Sequence, residues 1–405
     1  MIKASEYCAK IFDGTHDTPK PTQDGEYLVT SKCLLDGKID FSSAYKISKE
    51  DYNEVNRRSQ VSQYDILFSM IGTIGNTYLE ESSNINYAIK NIGVFSCRNR
   101  EKAIILYYYL QSPYAKKYIE RGLDGAVQKF LSLEKMRNFP VPEFSESAYK
   151  AISELRRIDD KISTNNKIIE TSEKLMREIY DYWFVQFDFP DENGRPYKSS
   201  GGEMAYDEKL KREIPKGWKA CNILDVANWV GGAQPPKSTF IYEPRNGYVR
   251  FIQNRDYADD NYKTWIPESK SNKICDRLDI MMDKYGDAGR IRFGLAGAYN
   301  VALAKIAIEK ENLREYIRGF LSSEAIYQYL YNACMASTRA SLNEEILGNL
   351  NLAMPSEEIL NQYQTIAEQN IQLILTLSDE NKQLASLRDW LLPMLMNGQV
   401  KIEDK

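Results

Sequence analysis

Two stretches of the chain place apolar residues at alternating intervals of three and four, which is the spacing of a coiled-coil helix. The first stretch covers 148–183 without Pro or Gly, and the second begins at Ile359 and ends near Pro393 and Gly398. At about 1.5 Å per residue, the first helix would be on the order of 50 Å long, too long for the core of one small domain. The main stripe positions are Leu155, Ile158, Ile162, Asn165, Ile169 and Met176 in the first helix, and Ile366, Asn370, Leu373, Leu377, Leu384 and Leu387 in the second.

These two helices are predicted to pair with each other, and the alternative is that each packs only on its own domain. Asn165 and Asn370 fall on the stripes. A buried polar residue at such a position costs stability but can fix the register of the helices. The alternative for each Asn is an exposed helix end.

The segments that precede the two helices repeat each other. The motif Asp-Ile-x5-Gly-x2-Gly occurs at 65–75 and again at 279–289, an offset of 214 residues (279 − 65). The spacing Leu-x6-Asn occurs at 131–138 and at 342–349, an offset of 211 residues (342 − 131). Small deletions in surface loops of the second copy would account for the drift. The chain is therefore predicted to contain two tandem copies of one globular unit.

Each copy mixes strand and helix signals, which predicts an α/β (α+β) unit. In the first copy, β-rich runs occur at 27–30 and 65–70, and a helix is predicted over 106–121 with Pro113 in a first turn or at a break. The predicted organisation is a globular unit over 1–147, a helix over 148–189, a polar linker over 190–212, a second globular unit over 213–357 and a helix over 358–398.

Composition narrows the chemistry. The 405 residues include one His, His16, and six Cys with no C-x-x-C pair, so a metal site and a His-based catalytic triad are not expected. No G-x-G-x-x-G loop is present, and Pro236 interrupts the one segment similar to a phosphate loop. No apolar run approaches the ~18 residues of a membrane span, and the N-terminus has no signal-peptide pattern. We expect a cytoplasmic protein with no membrane partner and no metal, and these motifs give no sign of catalysis. Because Asp and Glu are abundant, counting alone leaves a carboxylate metal site open, although no local cluster indicates one.

The glycine turns are candidate contact surfaces because glycine lets the backbone approach a partner closely. The net charge of −4 argues mildly against attraction of the whole molecule to nucleic acid but does not exclude a basic face. A second polar loop precedes each long helix and carries Lys or Arg that could meet phosphates. The alternative is that the glycine turns are ordinary hairpin turns whose sequences have drifted, and that the Lys and Arg side chains only face solvent. The candidate residues are Ser69, Gly72, Thr73, Asn76, Gln128 and Lys129 in the first copy, and Lys284, Tyr285, Arg290, Arg292 and Arg339 in the second.

Taken together, the chain resembles the specificity subunits of type I restriction–modification systems along essentially its whole length. The stretches that carry the resemblance are Asp13–Pro19, Tyr64–Thr77, Ile179–Pro190, Ile214–Trp218 and Leu387–Val400. The first copy departs from the pattern because it lacks a counterpart of Ile214–Trp218.

The resemblance implies two target recognition domains, each contacting one half of a split double-stranded DNA site, related by a pseudo-two-fold internal repeat. It also implies that the long helices pair antiparallel as a spacer and dock two modification (methyltransferase) subunits, with a restriction subunit joining the complex. S-adenosylmethionine, ATP and Mg²⁺ would then belong to the partner subunits, and no cofactor to this chain. A coiled-coil scaffold that binds only proteins and an enzyme acting alone are the rival interpretations.

Overall fold

The computed structural model describes residues 1–35, 37–123, 129–258, 260, 262–336 and 341–396. The chain forms two compact units, one containing Met1–Thr164 with the chain from Asn381 onward, and the other containing Asn165–Glu380. The division between them falls inside both long helices. The domain bounds expected from the sequence separate the globular segments from the long helices, whereas the two units divide the chain by compactness. Those bounds therefore stay a prediction.

The first unit contains a four-stranded sheet of order β2-β10-β7-β8 and a three-stranded sheet of order β6-β3-β9, in which β3 and β9 run parallel. Its strands are β1 (Ile2–Lys3), β2 (Lys10–Asp13), β3 (Glu26–Thr30), β4 (Leu34–Leu35), β5 (Lys38–Ile39), β6 (Tyr45–Ile47), β7 (Asp65–Ser69), β8 (Thr77–Leu79), β9 (Tyr87–Lys90), β10 (Ile92–Ser96) and β11 (Pro140–Val141). Its helices are α1 (Ala4–Tyr7), α2 (Lys49–Ser59), α3 (Arg100–Gln111), α4 (Pro113–Arg121) and α5 (Leu133–Arg137), and it also contains the start of α6 (Glu146–Tyr180).

The break between α3 and α4 confirms the expected position of Pro113. The Ser112 hydroxyl accepts a hydrogen bond from the Ala115 N–H (3.3 Å), and Pro113 occupies the first turn of α4. Proline is tolerated there because its missing N–H would have no partner within the helix. The helix before the break begins at Arg100, six residues before the predicted start at Leu106.

The second unit repeats this arrangement with one additional strand, β18. Its sheets have the order β15-β22-β19-β20 and β17-β16-β21-β18, and β16 and β21 run parallel. Its strands are β12 (Met204–Asp207), β13 (Arg212–Pro215), β14 (Lys219–Asn222), β15 (Ala227–Gly231), β16 (Tyr248–Ile252), β17 (Thr264–Pro267), β18 (Ile274–Cys275), β19 (Ile280–Asp283), β20 (Ile291–Arg292), β21 (Gly297–Tyr299), β22 (Leu303–Ile308) and β23 (Asn351–Met354). Its helices are α7 (Arg314–Ser322), α8 (Glu324–Ala336) and α9 (Glu344–Leu347), followed by α10 (Glu357–Met396).

The two copies agree in backbone detail as well as in strand order. A Cβ at Gly14 would lie 2.4 Å from the Ile89 carbonyl oxygen, and one at Gly232 would lie 1.9 Å from the Asn300 carbonyl oxygen. Both positions therefore require glycine, because any side chain would overlap the neighbouring backbone. The hairpin of β12 and β13 lies before the second copy, and the described part of the first copy has no counterpart to it. The internal duplication expected from the sequence is confirmed.

Within each unit, the two long helices contact each other. In the first unit, an Arg388 nitrogen lies 2.9 Å from Asp159 Oδ1. In the second unit, the Asn165 amide donates to Glu380 Oε2 (2.8 Å), and the Tyr180 and Tyr363 rings lie 6.3 Å apart. Because higher numbers on α6 meet lower numbers on α10, the helices are antiparallel there.

Most stripe positions are buried or half-buried, as predicted, but Leu373 and Leu387 are 41% and 43% exposed. The stripe on α10 was wrong at these two positions. Neighbouring residues take the inward places, since Ile374 and Leu375 are buried and Arg388 contacts α6. A step of one residue turns the side chain by about 100°, which carries Leu373 and Leu387 away from the packed face.

The long helices also pack on their domains. Leu155 and Leu392 belong to the core of the first unit with Phe68, while Tyr180 and Tyr363 belong to that of the second. No described helix is long and apolar enough to cross a membrane. Among the described residues, no group of three or more His, Cys, Asp or Glu is placed to hold a metal ion.

Candidate nucleic-acid interface

The first glycine turn (residues 70–76) follows β7, and its shape comes from hydrogen bonds of its own side chains. Gly72 and Gly75 have φ of +78° and +97°, which favours glycine. The buried Ser69 hydroxyl donates to the Thr73 carbonyl (2.5 Å) and accepts from the Asn76 N–H (2.8 Å). The Asn76 side chain donates to the Leu34 carbonyl (2.7 Å). Ser69 and Asn76 therefore shape the turn, and Gly72 and Thr73 form its exposed tip.

The second glycine turn (residues 284–290) follows β19 and carries a fixed arginine. Arg290 Nε donates to Asp287 (3.0 Å), and the guanidinium lies 4.5 Å from the centre of the Tyr327 ring. The Tyr327 hydroxyl donates to the other Asp287 oxygen (2.5 Å). Burial acts to raise the pKa of Asp287, but the hydrogen bonds from Tyr327 and Arg290 outweigh it and lower that pKa. Arg290 remains 49% exposed, so a held guanidinium fork faces solvent.

Arg292 has a different role from Arg290. Two of its nitrogens donate to Asp283 Oδ2 (3.1 and 2.9 Å), and the Asp283 side chain is only 2% exposed. Burial raises the pKa of Asp283 to about 6, and the charge of Arg292 opposes that rise. Arg292 therefore forms an ion pair with a buried carboxylate. This ion pair explains the position of Arg292 in the fold, and no ligand is needed to explain it.

In each copy, a described residue that follows the second polar loop donates a hydrogen bond to the backbone of the glycine turn. The Leu131 N–H donates to the Met70 carbonyl (3.0 Å), and the Leu342 N–H donates to the Lys284 carbonyl (3.2 Å). Lys129 is exposed and lies two residues before Leu131, in the segment that pairs with the first glycine turn through an isolated β-bridge between Ile71 and Phe130. Gln128 and Arg339 lie outside the described residues.

The second helix after the strands of each copy, α4 in the first and α8 in the second, completes each surface. A Cβ at Gly75 would lie 3.7 Å from the side chain of Ile119 on α4, and one at Gly289 would lie 2.8 Å from Leu330 on α8. Tyr327 stands one turn before Leu330, and Lys116, which is exposed, stands one turn before Ile119. Sequence reasoning missed Tyr327 and Lys116, because neither residue lies in a glycine turn or in the polar loop before a long helix.

Each glycine-turn surface therefore combines a glycine turn, one face of a helix and the described residues just before α5 (129–132) or α9 (341–343). The first surface presents Thr73, Lys116 and Lys129, whereas the second presents Tyr285 and Arg290 beside half-buried Lys284. The backbone arrangement is shared and the exposed side chains differ. Whether the candidate residues contact DNA stays a prediction.

Known proteins are similar to this chain in sequence. A family model described as "Type I restriction modification DNA specificity domain" matches residues 215–386. The chain is 22% identical over 315 residues to the Type I restriction enzyme MjaIX specificity subunit of Methanocaldococcus jannaschii, covering 74% of this chain and 69% of that protein. It is 22% identical over 312 residues to the Type I restriction enzyme HindI specificity subunit of Haemophilus influenzae, covering 63% of this chain and 67% of that protein.

The fold itself is also known. The crystal structure of the type I restriction–modification system S subunit from M. genitalium aligns with 100% of this chain and 96% of its own, with a TM-score of 0.59 and 13% identity. The family model covers the second copy and part of α10, and the first copy repeats the strand order of the second. Residues 215–386 therefore match a type I restriction–modification DNA specificity domain, and the chain is similar over 63–74% of its length to known specificity subunits of such systems.

Proposed function

We propose that each glycine-turn surface binds one half of a bipartite site in double-stranded DNA. The observation that carries this proposal is the repetition of one backbone arrangement with different exposed side chains. A duplicated surface of that kind suits two half-sites of different sequence. The paired helices would set the distance between the half-sites, and at 35 residues α6 is about 50 Å long, more than the ~34 Å of one DNA turn.

Arg290 is the residue best prepared for direct contact with a base or a phosphate. Its guanidinium is planar, always charged and already held by Asp287 and Tyr327, so little side-chain freedom is lost on binding. Arginine pairs with the O6 and N7 atoms of guanine through two hydrogen bonds. Lys129 and Lys116 suit phosphate, because a flexible ammonium group acts as a point charge.

The chemistry of the complex would then reside in its partners. We propose that the long helices dock two modification subunits, which bind S-adenosylmethionine, and that a restriction subunit using ATP and Mg²⁺ joins them. At the two glycine-turn surfaces, the charged side chains of this chain either hold the turns in shape or face solvent. The chain's own contribution is recognition and spacing.

The test uses the chain assembled with the modification subunit of its own system. Mapping of methylated bases in a strain that expresses the complex gives the target, and fluorescence anisotropy measures its affinity over a range of salt concentrations. We expect Arg290→Ala to weaken binding by about 10- to 100-fold, with relaxed choice at one half-site only.

Arg195→Ala is the matched control, because Arg195 is also exposed and also held by an aspartate, Asp191, at 3.0 Å. It should leave affinity unchanged. Lys129→Ala should weaken binding evenly across sequences and reduce the salt slope by about one. Equal affinity of Arg290→Ala and the unchanged protein at both half-sites would refute the assignment, and binding without salt dependence would favour a scaffold that contacts only proteins.

A further inference from the structure

The second unit contains a cavity of about 320 Å³ at the start of α10, which we call the α10 cavity. Its apolar lining residues are buried or half-buried, and the charged residues that line it are all exposed, so the charges form its rim. An apolar interior with a few polar groups is typical of small-molecule sites. The apolar lining includes Leu224, Val226, Leu313, Met354, Pro355 and Leu360.

The start of α10 corresponds closely to the start of α6. At both helix starts, a Ser hydroxyl accepts a hydrogen bond from the N–H three residues later, at Ser145 (3.4 Å) and at Ser356 (3.5 Å). The offset of 211 residues (356 − 145) equals that of the Leu-x6-Asn spacing. At this offset, Pro355 corresponds to Phe144 and Leu360 corresponds to Tyr149. Two aromatic residues of the first copy are therefore replaced by smaller residues at the α10 cavity.

A third aromatic residue of the first copy is also replaced. Tyr7 lies at the end of α1. The offset between the copies is 218 residues at the paired glycines (232 − 14), and 219 residues between β1 and β14, where Ile2 and Cys221 have matching partners (221 − 2). Tyr7 therefore corresponds to Asp225 or to Val226, and both of these residues line the α10 cavity.

In the first unit, these aromatic rings fill the domain at this place. The Tyr7 and Phe144 ring centres lie 5.9 Å apart, and Phe144 lies 5.8 Å from the ring of Tyr109. Tyr7 is buried, and its hydroxyl donates to the Lys102 carbonyl (3.1 Å). Phe144 and Tyr149 pack against the same core. Because the two copies share one backbone arrangement, the α10 cavity lies where the first copy places aromatic rings, and its shape suits an aromatic ring.

The charged residues that line the α10 cavity are acidic in excess. Three are carboxylates, Asp225, Glu309 and Glu357, and one is Lys310, so their charges sum to −2 (+1 − 3). Lys310 pairs with Glu357 at 3.2 Å. Glu309 accepts a hydrogen bond from the Asn228 amide (3.4 Å), and neither Asp225 nor Glu309 forms an ion pair with a described Lys or Arg. The rim therefore favours an occupant with a positive charge.

We propose that the α10 cavity binds a small molecule with one aromatic ring and a positively charged tail. The ring would lie against Met354 and Leu360, since a thioether makes favourable contacts with aromatic rings. The tail would lie at the rim, near Asp225 and Glu309. An apolar cavity of about 150 Å³ already holds benzene, so the α10 cavity has room for a ring with a tail. This site is separate from the glycine-turn surfaces, and the inference does not depend on the proposed function.

The experiment titrates the full chain with tyramine, whose ring matches a Tyr side chain and whose ammonium group supplies the tail. Ligand-observed NMR should show saturable binding with a Kd on the order of 0.1–1 mM, as for a ligand of this size. The probe p-cresol has the same ring without a charge, and 4-hydroxyphenylacetate carries a carboxylate instead. We expect 4-hydroxyphenylacetate to bind at least about 10-fold more weakly than tyramine, with p-cresol between them. Absence of saturable tyramine binding would overturn the inference.

Leu360→Tyr places the aromatic ring of the first copy in the α10 cavity. It should abolish tyramine binding and raise the melting temperature, because filling a cavity stabilises the fold. Gln362→Tyr is the matched control, since it adds the same ring to α10 at an exposed position that does not line the cavity. It should bind tyramine as the unchanged chain does. Tyramine that bound Leu360→Tyr as tightly as the unchanged chain would lie elsewhere, which would also overturn the inference.

Glu309→Lys tests the charge of the rim without filling the cavity. It changes the summed charge of the lining from −2 to 0, and Glu309 is exposed, so the fold should be unaffected. The preference for tyramine over 4-hydroxyphenylacetate should disappear, while p-cresol binds as before. An unchanged preference would refute selection of a positive tail by the rim. Because no DNA is present, either result would leave the DNA-binding proposal to its own test.

Discussion

The last glycine of the second glycine turn is required both by its backbone conformation and by the helix beneath it. Gly289 has φ of +90°, and a Cβ there would lie 2.8 Å from the Cβ of Leu330. We expect Gly289→Ala to lower the free energy of unfolding by about 2–3 kcal/mol, since backbone strain and steric overlap add. Gly286→Ala, with φ of +73° and open space, should cost only about 1 kcal/mol. Thermal unfolding of both variants measures this, and equal losses would show that Leu330 yields freely.

Asp283 should make the stability of the second unit depend on pH. Its pKa is about 6 in the folded chain, mainly because of burial, against about 3.9 when unfolded. The folded state therefore binds the proton more tightly, and stability falls as pH rises from about 4 to 6. Between pH 5 and 7 the unchanged chain should lose about 1 kcal/mol relative to Asp283→Asn, which keeps the shape and cannot ionise. Melting curves of the two proteins that stay parallel over this range would contradict it.

At the residue scale, the sequence located the turns but could not assign the arginines. The glycine motif is local, so its repetition was visible in the sequence. The difference between Arg290 and Arg292 depends on Tyr327, which is distant in the chain, and on the burial of Asp283. Those are tertiary facts, and two arginines two residues apart in a strand-like segment give no local sign of them.

At the scale of elements, the two stripe asparagines differ in their partners. Asn165 is fully buried and donates across the helix pair to Glu380 (2.8 Å), whereas the Asn370 amide donates to the Ile366 carbonyl of its own helix (3.0 Å). We expect Asn165→Ala to destabilise the helix pair by about 1–2 kcal/mol and Asn370→Ala by less than about 0.5 kcal/mol. Hydrogen exchange of the α6 amides reports the difference, and a larger effect at Asn370 would reverse the assignment.

The inward-facing residues of α6 could be predicted from the sequence, whereas those of α10 could be predicted only in part. The difference has a physical reason. Spacing of three and four assumes that a helix has a single neighbour. α10 contacts α6 and also packs on the second domain, where Leu375 lies 3.1 Å from the Cβ position of Gly294 and Asp379 pairs with Arg277 at 2.7 Å. The buried arc of α10 is therefore wider than one stripe, and Leu373 falls outside it.

At the scale of the whole molecule, duplication was the most predictable feature. A repeat leaves many weak sequence matches between the two copies in the same order. The repeat can therefore be recognised even when any single match has been lost. The matching sheet orders, the parallel pairs β3–β9 and β16–β21, and the paired glycines 14 and 232 all follow from it.

The spacer proposal gives the sharpest test at this scale. One heptad added to α6 and one to α10, at facing positions, keeps the stripes in phase and lengthens the pair by about 10 Å. That distance equals roughly three base pairs of DNA. Methylation mapping of the altered complex should therefore find a longer gap between two unchanged half-sites.

Seven residues added to the polar segment 191–202 are the matched control. This segment lies outside both long helices and is largely exposed, so the insertion changes chain length without lengthening the helix pair. It should leave the gap as it was. A gap that grew equally in both proteins would mean that the linker, and not the helices, sets the separation. An altered half-site after the heptad insertion would mean that the helices take part in reading bases.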